Sequence, residues 1–353
     1  MPANAANRLI AHYLGHARRL SWRAPPGEPP PDPYLAWLSE VMLQQTTVAA
    51  VGPRFERFVA RWPTIAALAG ASDEDILAEW AGLGYYARAR NLIACARVVA
   101  ATGGFPSTEA ELRRLPGIGD YTAAAIAAIA FGRDAAVIDT NVARVVARLH
   151  GLRQPGRSQT RTLVEAMTPA GAAGDFAQAM MDLGATICRP RAPDCPACPL
   201  NRDCAARASG TPEAFPASKE ARVRPQRHGI ARWIERDGAL WLVRRPPKGM
   251  LGGMAALPGD PWTDEPEALP APPLARVRHV FTHLALDLAV VGADAGNVRD
   301  WGDGWWQPLD RLDEAGLPTL YRRASELVLA RSERRAGTAE RSERQLEEAP
   351  NPP

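Results

Sequence analysis

The spacing of apolar residues divides the chain into two parts with different predicted secondary structure. In the first 208 residues apolar positions recur at helical intervals, and the first such run comprises Tyr34, Trp37, Leu38, Val41, Met42 and Gln45. Glycine and proline separate this run from further predicted helices over 64–68, 73–81, 87–101, 109–115, 121–130, 141–149 and 177–187. The pattern therefore predicts an all-α first domain.

The pattern changes after residue 208. Residues 209–228 lose helical periodicity and combine proline with mixed charge, which predicts a linker. Segments 231–235, 239–244, 277–282 and 284–291 read as strands, so we expect a mixed α+β domain over 229–330. Residues 331–353 carry five arginines against five glutamates and finish in proline, and we expect them to be disordered.

The composition of the 353 residues is typical of a globular protein with two domains, because 46% are apolar and 23% are charged. The apolar stretches are too short to span a bilayer, and the N-terminus lacks the pattern of a signal peptide. We therefore expect an intracellular protein without membrane association. The net charge of +3 is weak evidence for a polyanionic partner, and Lys219 and Lys248 are the only lysines.

A cluster of cysteines indicates a metal site. Cys188, Cys195, Cys198 and Cys204 follow the pattern C-x6-C-x2-C-x5-C, whereas Cys95 stands alone in an apolar run and reads as core packing. Clustered thiols in a reducing compartment hold metal rather than each other. An iron–sulfur cluster, a structural zinc ion and disulfides all remain open, although zinc loops usually repeat the close pair that occurs here only once.

A glycine-containing hairpin is predicted between two helices. The segment 115–122, LPGIGDYT, places Gly117 and Gly119 where a tight turn can direct several backbone N–H groups outward. This is the helix-hairpin-helix signature, which holds DNA phosphates without reading bases. An ordinary turn between packed helices is the alternative.

Two acidic residues form a candidate catalytic pair. Glu40 lies at the border of the apolar face of the helix that contains Tyr34, and Asp139 stands just ahead of the predicted helix 141–149. Alone, Glu40 would be read as a surface residue and Asp139 as a helix N-cap. Together, a partly buried protonated carboxyl and an ionised carboxylate are what cleavage of a glycosidic bond requires.

The segment 32–46, DPYLAWLSEVMLQQT, resembles the active-site helix of the adenine DNA glycosylase (MutY) family within the endonuclease III superfamily. The segment 82–91, GLGYYARARN, the hairpin, Asp139 and the cysteine loop follow in the family's order, so the resemblance covers residues 20–208. It implies a helix-hairpin-helix glycosylase domain over 1–208, with a six-helix module over about 30–135 and a cluster module from the N-terminus plus about 136–208. It also implies one [4Fe–4S] cluster held by the four grouped cysteines.

The resemblance implies roles for individual residues. Glu40 would protonate adenine at N7, and Asp139 would stabilise the sugar cation with support from Asn141 and Tyr121. The adenine pocket would include Trp22 and Arg23, and the DNA-binding set would comprise Gln45, Thr46, Leu83, Tyr85, Gly117 and Gly119, with Gln45 and Tyr85 wedging into the base stack.

Two positions depart from the family's pattern near the site. Ser21 replaces a proline, and Thr140 stands where glycine is more frequent, although we expect the Thr140 side chain to be accommodated. A third position separates this chain from related lyases. Endonuclease III carries a lysine where this chain has Tyr121, and the first 218 residues contain no lysine, so we predict a monofunctional glycosylase with water as the nucleophile.

Residues 229–330 resemble the Nudix-like domain of the same family, through RHVFTHL at 278–284 and LGGMAALP at 251–258. The resemblance implies that Phe281, Thr282 and His283 recognise 8-oxoguanine, with Thr282 in place of the usual serine. A turn with an ordinary histidine is the alternative. The acidic array of Nudix hydrolases is missing from the sequence, so we expect no magnesium-dependent pyrophosphatase activity.

The combined expectation is a monomeric bacterial protein of the cytoplasm, bound to the nucleoid through DNA. Its substrate would be double-stranded DNA with adenine opposite 8-oxoguanine or, more weakly, opposite G. Two alternatives remain open: a thymine- or damaged-pyrimidine glycosylase of the same superfamily, and a DNA-binding module without catalysis.

Overall fold

The computed structural model describes residues 3–80, 82–217, 223–246, 249–296 and 298–347, so both lysines lie outside the described residues. Its contacts divide the chain into two compact units. The first consists of Met1–Glu79 and Arg88–Glu220, and the second of Trp80–Ala87 and Ala221–Pro353. The division after Glu220 falls inside the segment that the sequence predicts to be a linker.

The first unit is helical, which confirms the predicted all-α class. Its pattern-predicted helices are found with small shifts of their ends, and α1, α3, α10 and α12 are additional. The helices up to the end of this unit are α1 Ala3–His16, α2 Pro33–Leu43, α3 Val48–Arg61, α4 Ile65–Ala69, α5 Asp73–Glu79, α6 Tyr86–Ala101, α7 Glu109–Leu112, α8 Asp120–Phe131, α9 Thr140–Leu149, α10 Arg157–Met167, α11 Ala173–Thr186 and α12 Ala205–Ala208.

Helix α8 is the centre of this unit. Every residue from Thr122 to Ile129 is buried, and five of these eight are alanine. Because a helix that is apolar on all sides must be enclosed, other helices surround it, and α2, α7 and α11 pack against it. The small alanine side chains allow the neighbours to approach closely. Helix α11 also packs against α1 and α9, so these elements converge on one region around α8.

The turn between α7 and α8 depends on Gly117. Its φ of 73° is in the left-handed region, and a Cβ atom there would lie 2.6 Å from the Cβ of Asn91 on α6. The Ile118 N–H donates to the Leu115 carbonyl at 3.2 Å and closes the turn. Gly119 is the N-cap of α8 with φ −92°, and a Cβ there would meet open space. The two glycines therefore serve different purposes.

The second unit is α+β, as predicted, and contains two sheets and a long helix. In the first sheet, of order β1-β6-β5, β1 runs parallel to β6 and β5 runs antiparallel to it. In the second, β3 pairs antiparallel with β2, β4 and β7. The elements are β1 Gln226–Trp233, β2 Glu235–Arg236, β3 Ala239–Arg244, β4 Ala255–Ala256, β5 Ala275–Val280, β6 Ala285–Gly292, β7 Gly304–Pro308 and α13 Thr319–Glu347.

Helix α13 corrects the prediction for the C-terminal tail. It packs against β5 through its first turns and continues to Glu347, whereas disorder is predicted from residue 331. Residues 331–347 consist largely of glutamate, arginine, alanine and glutamine, which favour helix, and the first proline comes at position 350. The Arg331 guanidinium also donates to the carbonyls of Pro273 and Leu274, both at 2.9 Å. None of the described helices is long and apolar enough to cross a bilayer.

The two hairpin glycines should respond differently to substitution. We expect Gly117→Ala to lower the free energy of unfolding by about 1–3 kcal/mol, because the added methyl meets Asn91 and strains the backbone. Gly119→Ala, the matched control, should cost less than about 1 kcal/mol. Denaturant unfolding of the two variants measures both values, and equal losses would contradict the distinct roles given to the two positions.

Candidate active site

A buried carboxyl of α2 contacts a tyrosine of α8. Glu40 is only 6% exposed, and the Tyr121 hydroxyl donates to its Oε2 at 2.7 Å. Burial raises the pKa of Glu40, the negative charge of Asp139 raises it further, and the Tyr121 hydrogen bond and the charge of Arg23 lower it. Burial and the neighbouring Glu40 also raise the pKa of Tyr121 well above its ordinary value. Tyr121 thus remains a donor, and Glu40 is a carboxyl disposed to hold a proton.

The second predicted carboxylate, Asp139, is the N-cap of α9. Its Oδ1 accepts the backbone N–H of Val142 at 2.6 Å, and its Oδ2 accepts the side-chain amide of Asn141 at 3.0 Å. The side chain thus satisfies two N–H donors at the start of α9 and lies at the positive end of the helix dipole. The side chain of Thr140, one of the departures from the family's pattern, is exposed and is accommodated at the first position of α9.

The two carboxyl groups belong to one site. The charge of Asp139 acts on both Glu40 and Tyr121, and the Tyr121 hydroxyl contacts Glu40. Helices α2, α8 and α9 therefore bring together a protonatable carboxyl, a phenol and a capped carboxylate. This set can deliver a proton on one side and stabilise positive charge on another.

An ion-pair cluster lies beside this pair. The Arg23 Nη1 donates to both oxygens of Asp182 on α11, at 2.8 and 2.9 Å, and Arg18 donates to the same carboxylate through its Nε at 2.6 Å. Trp22 is buried with its ring edge-on to Phe55 at 5.3 Å, so it packs in the core of the unit. Ser21, the other departure, donates its hydroxyl to Glu56 at 2.9 Å.

The turn after α2 presents an exposed glutamine. Gln45 has a φ of 56°, an uncommon value for a residue with a side chain. Arg88 holds this turn, because its guanidinium donates to the carbonyls of Val41 and Met42 at 2.9 and 3.0 Å and to the Thr46 hydroxyl at 3.1 Å. The Thr46 hydroxyl, predicted to contact DNA, is therefore used inside the protein. Its contact with DNA stays a prediction.

In the second unit, the segment Trp80–Ala87 contains two residues predicted to contact DNA, one exposed to solvent and the other buried. Tyr85 is 49% exposed with a φ of 50°, and its hydroxyl lies 2.9 Å from the hydroxyl of Thr282. Leu83 is only 4% exposed. Leu83 is thus a packing residue in this conformation, and Tyr85 has the exposure that the predicted wedge requires.

The turn between β5 and β6 contains the three residues predicted to recognise 8-oxoguanine. The Phe281 N–H donates to the Leu284 carbonyl at 2.8 Å, and the Phe281 ring stacks on Trp262 with centroids 5.6 Å apart. Thr282 and His283 are exposed. The turn is therefore anchored by its aromatic residue, and its two polar side chains remain accessible.

The grouped cysteines meet at the end of the helical unit. None of the four is joined in a disulfide, and the charges of Cys188 and Cys204 act on both Cys195 and Cys198. No three metal-binding side chains among the described residues are close enough to hold a single ion. A cube of iron and sulfur binds each cysteine at a different corner, whereas zinc needs four ligands around one point. Four cysteine sulfurs without a nitrogen or oxygen ligand are the donor set of a [4Fe–4S] cluster.

Two arginines of α9 organise the start of the cysteine loop. Arg148, only 2% exposed, donates to the carbonyls of Cys188, Arg189, Pro190 and Phe215 and, at 3.4 Å, to the Cys188 sulfur. Arg144 donates to the carbonyls of Cys188 and Gly184 and to the Asn141 amide oxygen at 2.9 Å. Neither arginine is predicted as a site residue from the sequence, although their spacing of one helical turn on α9 is a usable signal.

Comparisons with known proteins agree with the two-unit description. The chain matches the model of the HhH-GPD superfamily base excision DNA repair proteins over residues 38–170 and the NUDIX domain model over 230–327. It is 31% identical to an adenine DNA glycosylase of Rattus norvegicus over 95% of this chain and 79% of that protein, and 35% identical to one of Homo sapiens over 80% and 66%. The chain thus spans less than two thirds of the human relative's length. A solved thermostable thymine-DNA glycosylase is similar with a TM-score of 0.53 and 28% identity, over 58% of this chain and 95% of that one.

A glycine of α11 permits the close contact between α11 and the residues that hold Asp139. A Cβ at Gly184 would lie 2.6 Å from the Asn141 Cβ, so we expect Gly184→Ala to destabilise the protein by about 1–3 kcal/mol. Gly52 inside α3 is the matched control, because open space surrounds it and Gly52→Ala should stabilise by up to about 1 kcal/mol. Thermal unfolding should therefore show shifts of opposite sign. A stabilised Gly184 variant would contradict the packing described here.

Proposed function

The chain belongs to the adenine DNA glycosylase family, and on that premise we propose that it excises adenine from duplex DNA in base excision repair. The observation that carries this proposal is the buried Glu40, held by Tyr121 in the same site as Asp139. A protonatable acid beside a carboxylate that remains negative is the arrangement needed to break an N-glycosidic bond without attacking it covalently.

We assign the general acid to Glu40. Protonation of adenine at N7 turns the base into a neutral leaving group, and an acid is effective when its pKa is close to the working pH. Burial supplies that increase in pKa, and Tyr121 fixes the orientation of the carboxyl by donating to Oε2. The second oxygen of Glu40 then carries the proton toward the base.

We assign the stabilisation of the sugar cation to Asp139. Departure of adenine leaves positive charge on the deoxyribose, and an adjacent carboxylate lowers the energy of that state. The Val142 N–H and the Asn141 amide restrict the rotation of Asp139, and Arg144 in turn holds the Asn141 amide oxygen. A carboxylate held in this way need not reorganise during the reaction.

The nucleophile in this scheme is water. A lyase of this superfamily needs an amine beside the sugar, and the corresponding position carries Tyr121, whose hydroxyl is engaged with Glu40. We therefore propose a monofunctional glycosylase that leaves an abasic site.

Binding of the duplex would involve the hairpin and the exposed wedge residues. Gly119 leaves the first turn of α8 without a side-chain cap, and open space lies beside it, which suits a DNA phosphate. Gln45 and Tyr85 are exposed on left-handed backbone, and strain of this kind is typical of functional positions. We propose that these two side chains fill the base stack while adenine is extruded.

Recognition of 8-oxoguanine opposite the adenine is assigned to the turn of Phe281, Thr282 and His283. The stacking of Phe281 on Trp262 leaves Thr282 and the ring of His283 at the surface, and the Thr282 hydroxyl lies 2.9 Å from that of Tyr85. We propose that the same turn recognises G opposite the adenine more weakly than 8-oxoguanine. This assignment rests on the family resemblance and on the exposure of the two polar residues.

We propose that Cys188, Cys195, Cys198 and Cys204 hold one [4Fe–4S] cluster. Cleavage of the glycosidic bond transfers no electron, so the cluster would supply a rigid covalent tie within the loop. Arg148 and Arg144 connect the backbone of that loop with α9, whose N-cap is Asp139. A correctly formed loop would therefore support the position of the catalytic carboxylate.

Substitution of the acid tests the proposed function directly. We expect Glu40→Gln to reduce adenine release by about a hundredfold or more while duplex binding is retained, because the amide keeps the shape of the side chain but has no acidic proton. The assay uses single-turnover strand cleavage on duplexes with A opposite 8-oxoguanine, G, C and T. For the wild type, strand breaks should appear only after alkali, and most rapidly opposite 8-oxoguanine.

The matched control for this assay is Glu56→Gln. Glu56 is an exposed acid of α3, and its loss should leave the rate of excision unchanged. Normal cleavage by Glu40→Gln would show that another group is the acid. Absence of adenine release by the wild type on all four duplexes would refute the proposed activity itself.

The metal content tests the cluster independently of activity. We expect about four iron and four sulfide per chain, and loss of both in Cys198→Ser, because the cube needs all four thiolates. Cys95→Ala is the matched control, since Cys95 lies buried in α6 and should leave the iron content unchanged. One zinc per chain instead of iron would contradict the assignment.

A further inference from the structure

We propose that Asp182 is a positioning residue for the reaction: its carboxylate holds Arg23 and balances its charge, and so keeps Glu40 able to carry a proton at neutral pH. The proposal rests on the function assigned to Glu40 above. Asp182 belongs to neither the hairpin, the cysteine loop nor the family segments that identify the catalytic pair, and its side chain comes from α11, far along the chain from both arginines that it binds.

Asp182 is the buried acceptor of an ion-pair cluster with two arginines. The residue is 7% exposed and accepts four hydrogen bonds, from the Arg18 backbone N–H at 3.0 Å, from the Arg18 Nε at 2.6 Å and from the Arg23 Nη1 to both oxygens at 2.8 and 2.9 Å. The side chain of Arg23 is itself only 8% exposed. A buried carboxylate with this many charged donors is held in one orientation, and it holds its partners in turn.

The second observation is the position of this cluster next to the acid. Arg23, from the loop between α1 and α2, is one of three charged or titratable groups that act on Glu40, together with Tyr121 of α8 and Asp139 of α9. The sulfur of Met181, the neighbour of Asp182 on α11, lies 3.5 Å from the Tyr121 hydroxyl as a second acceptor. Consecutive residues of α11 therefore contact both the phenol and the guanidinium that act on Glu40.

The chemistry makes an unrestrained Arg23 harmful to catalysis. A guanidinium next to a carboxyl favours the ionised form of that carboxyl, and a direct pair lowers its pKa by about 1–3 units. An ionised Glu40 has no proton to give to adenine. Asp182 binds the Arg23 Nη1 with both of its oxygens, which fixes the guanidinium and places a negative charge in direct contact with it.

The decisive measurement is the pH profile of the single-turnover excision rate. Glu40 must be protonated, so the rate is highest below its pKa and falls tenfold for each pH unit above it. For Asp182→Asn we expect the descending alkaline limb to move by about one unit to lower pH, since the charge of Arg23 is no longer balanced. The rate should therefore fall about tenfold on the alkaline limb and change by less than about threefold at acidic pH.

Controls separate this effect from a structural one. Asp175→Asn removes the same charge from the first turn of α11 and should leave the limb in place. Arg23→Gln should move the limb to higher pH, and adding Asp182→Asn to it should cause no further shift. Asp182→Glu keeps the charge and should keep the wild-type limb. If the asparagine variant does not fold, the shift expected for Arg23→Gln provides the test.

The outcomes are distinguishable from those of the proposed function. If the wild type releases adenine but Asp182→Asn lowers the rate equally at every pH, Asp182 is only structural and the inference is wrong. An unshifted limb in Arg23→Gln would overturn it as well. If the wild type releases no adenine, the proposed function fails, and this inference fails with it.

Discussion

The hydrogen bond between Tyr121 and the buried Glu40 is the interaction on which the arrangement of the helical unit depends. It joins α2 to α8, and α8 is the central helix against which α2, α7 and α11 pack. The same helix begins at the hairpin glycines, so Tyr121 stands only two residues from the open N-terminus that would receive a phosphate. The proposed phosphate site and the orientation of the Glu40 carboxyl thus depend on the same helix.

Burial of Glu40 has a cost for stability that the rest of the core must offset. Because its pKa is raised in the folded state, the native protein binds more protons than the unfolded chain between the two pKa values. Stability attributable to this group therefore decreases as the pH rises through that interval. An apolar side chain of similar volume at position 40 would fill the space without the cost of burying a carboxyl. The acid therefore indicates a purpose other than stability.

Arginine is the residue that connects the separate parts of the site. Arg148 donates to five acceptors around the cysteine loop, Arg88 closes the turn of Gln45, and Arg144 links Asn141 to Cys188. A planar guanidinium with several fixed donors can satisfy such divergent carbonyls, whereas a lysine ammonium offers fewer donors without a fixed geometry. The scarcity of lysine in the sequence is therefore compatible with a site whose irregular loops are held by side chains.

Local patterns in the sequence are sufficient for the helical class, the α+β second unit, the hairpin and the grouped cysteines, because each depends on residues close together along the chain. The contacts of Asp182, Gly184 and Arg144 could not be predicted in this way, since they join α11 to elements that precede it by roughly 40 to 160 residues. The burial of Leu83 could not be predicted from the sequence either. The short strands β4 and β7 contain too few residues to show the two-residue alternation of a strand. Equal numbers of arginine and glutamate beyond residue 331 predict disorder. The structure has a helix there instead, because these residues individually favour helix.

Asp139 shows that a structural and a catalytic interpretation of one residue are compatible. Helix capping and catalysis are alternative predictions for this residue, yet the side chain caps α9 and its charge also acts on Glu40. Capping fixes the carboxylate oxygens by two N–H bonds and leaves the charge in place, which is what stabilisation of a cation requires. The cap therefore supplies the preorganisation, and the second carboxyl on a different helix supplies the reason to regard it as more than a cap.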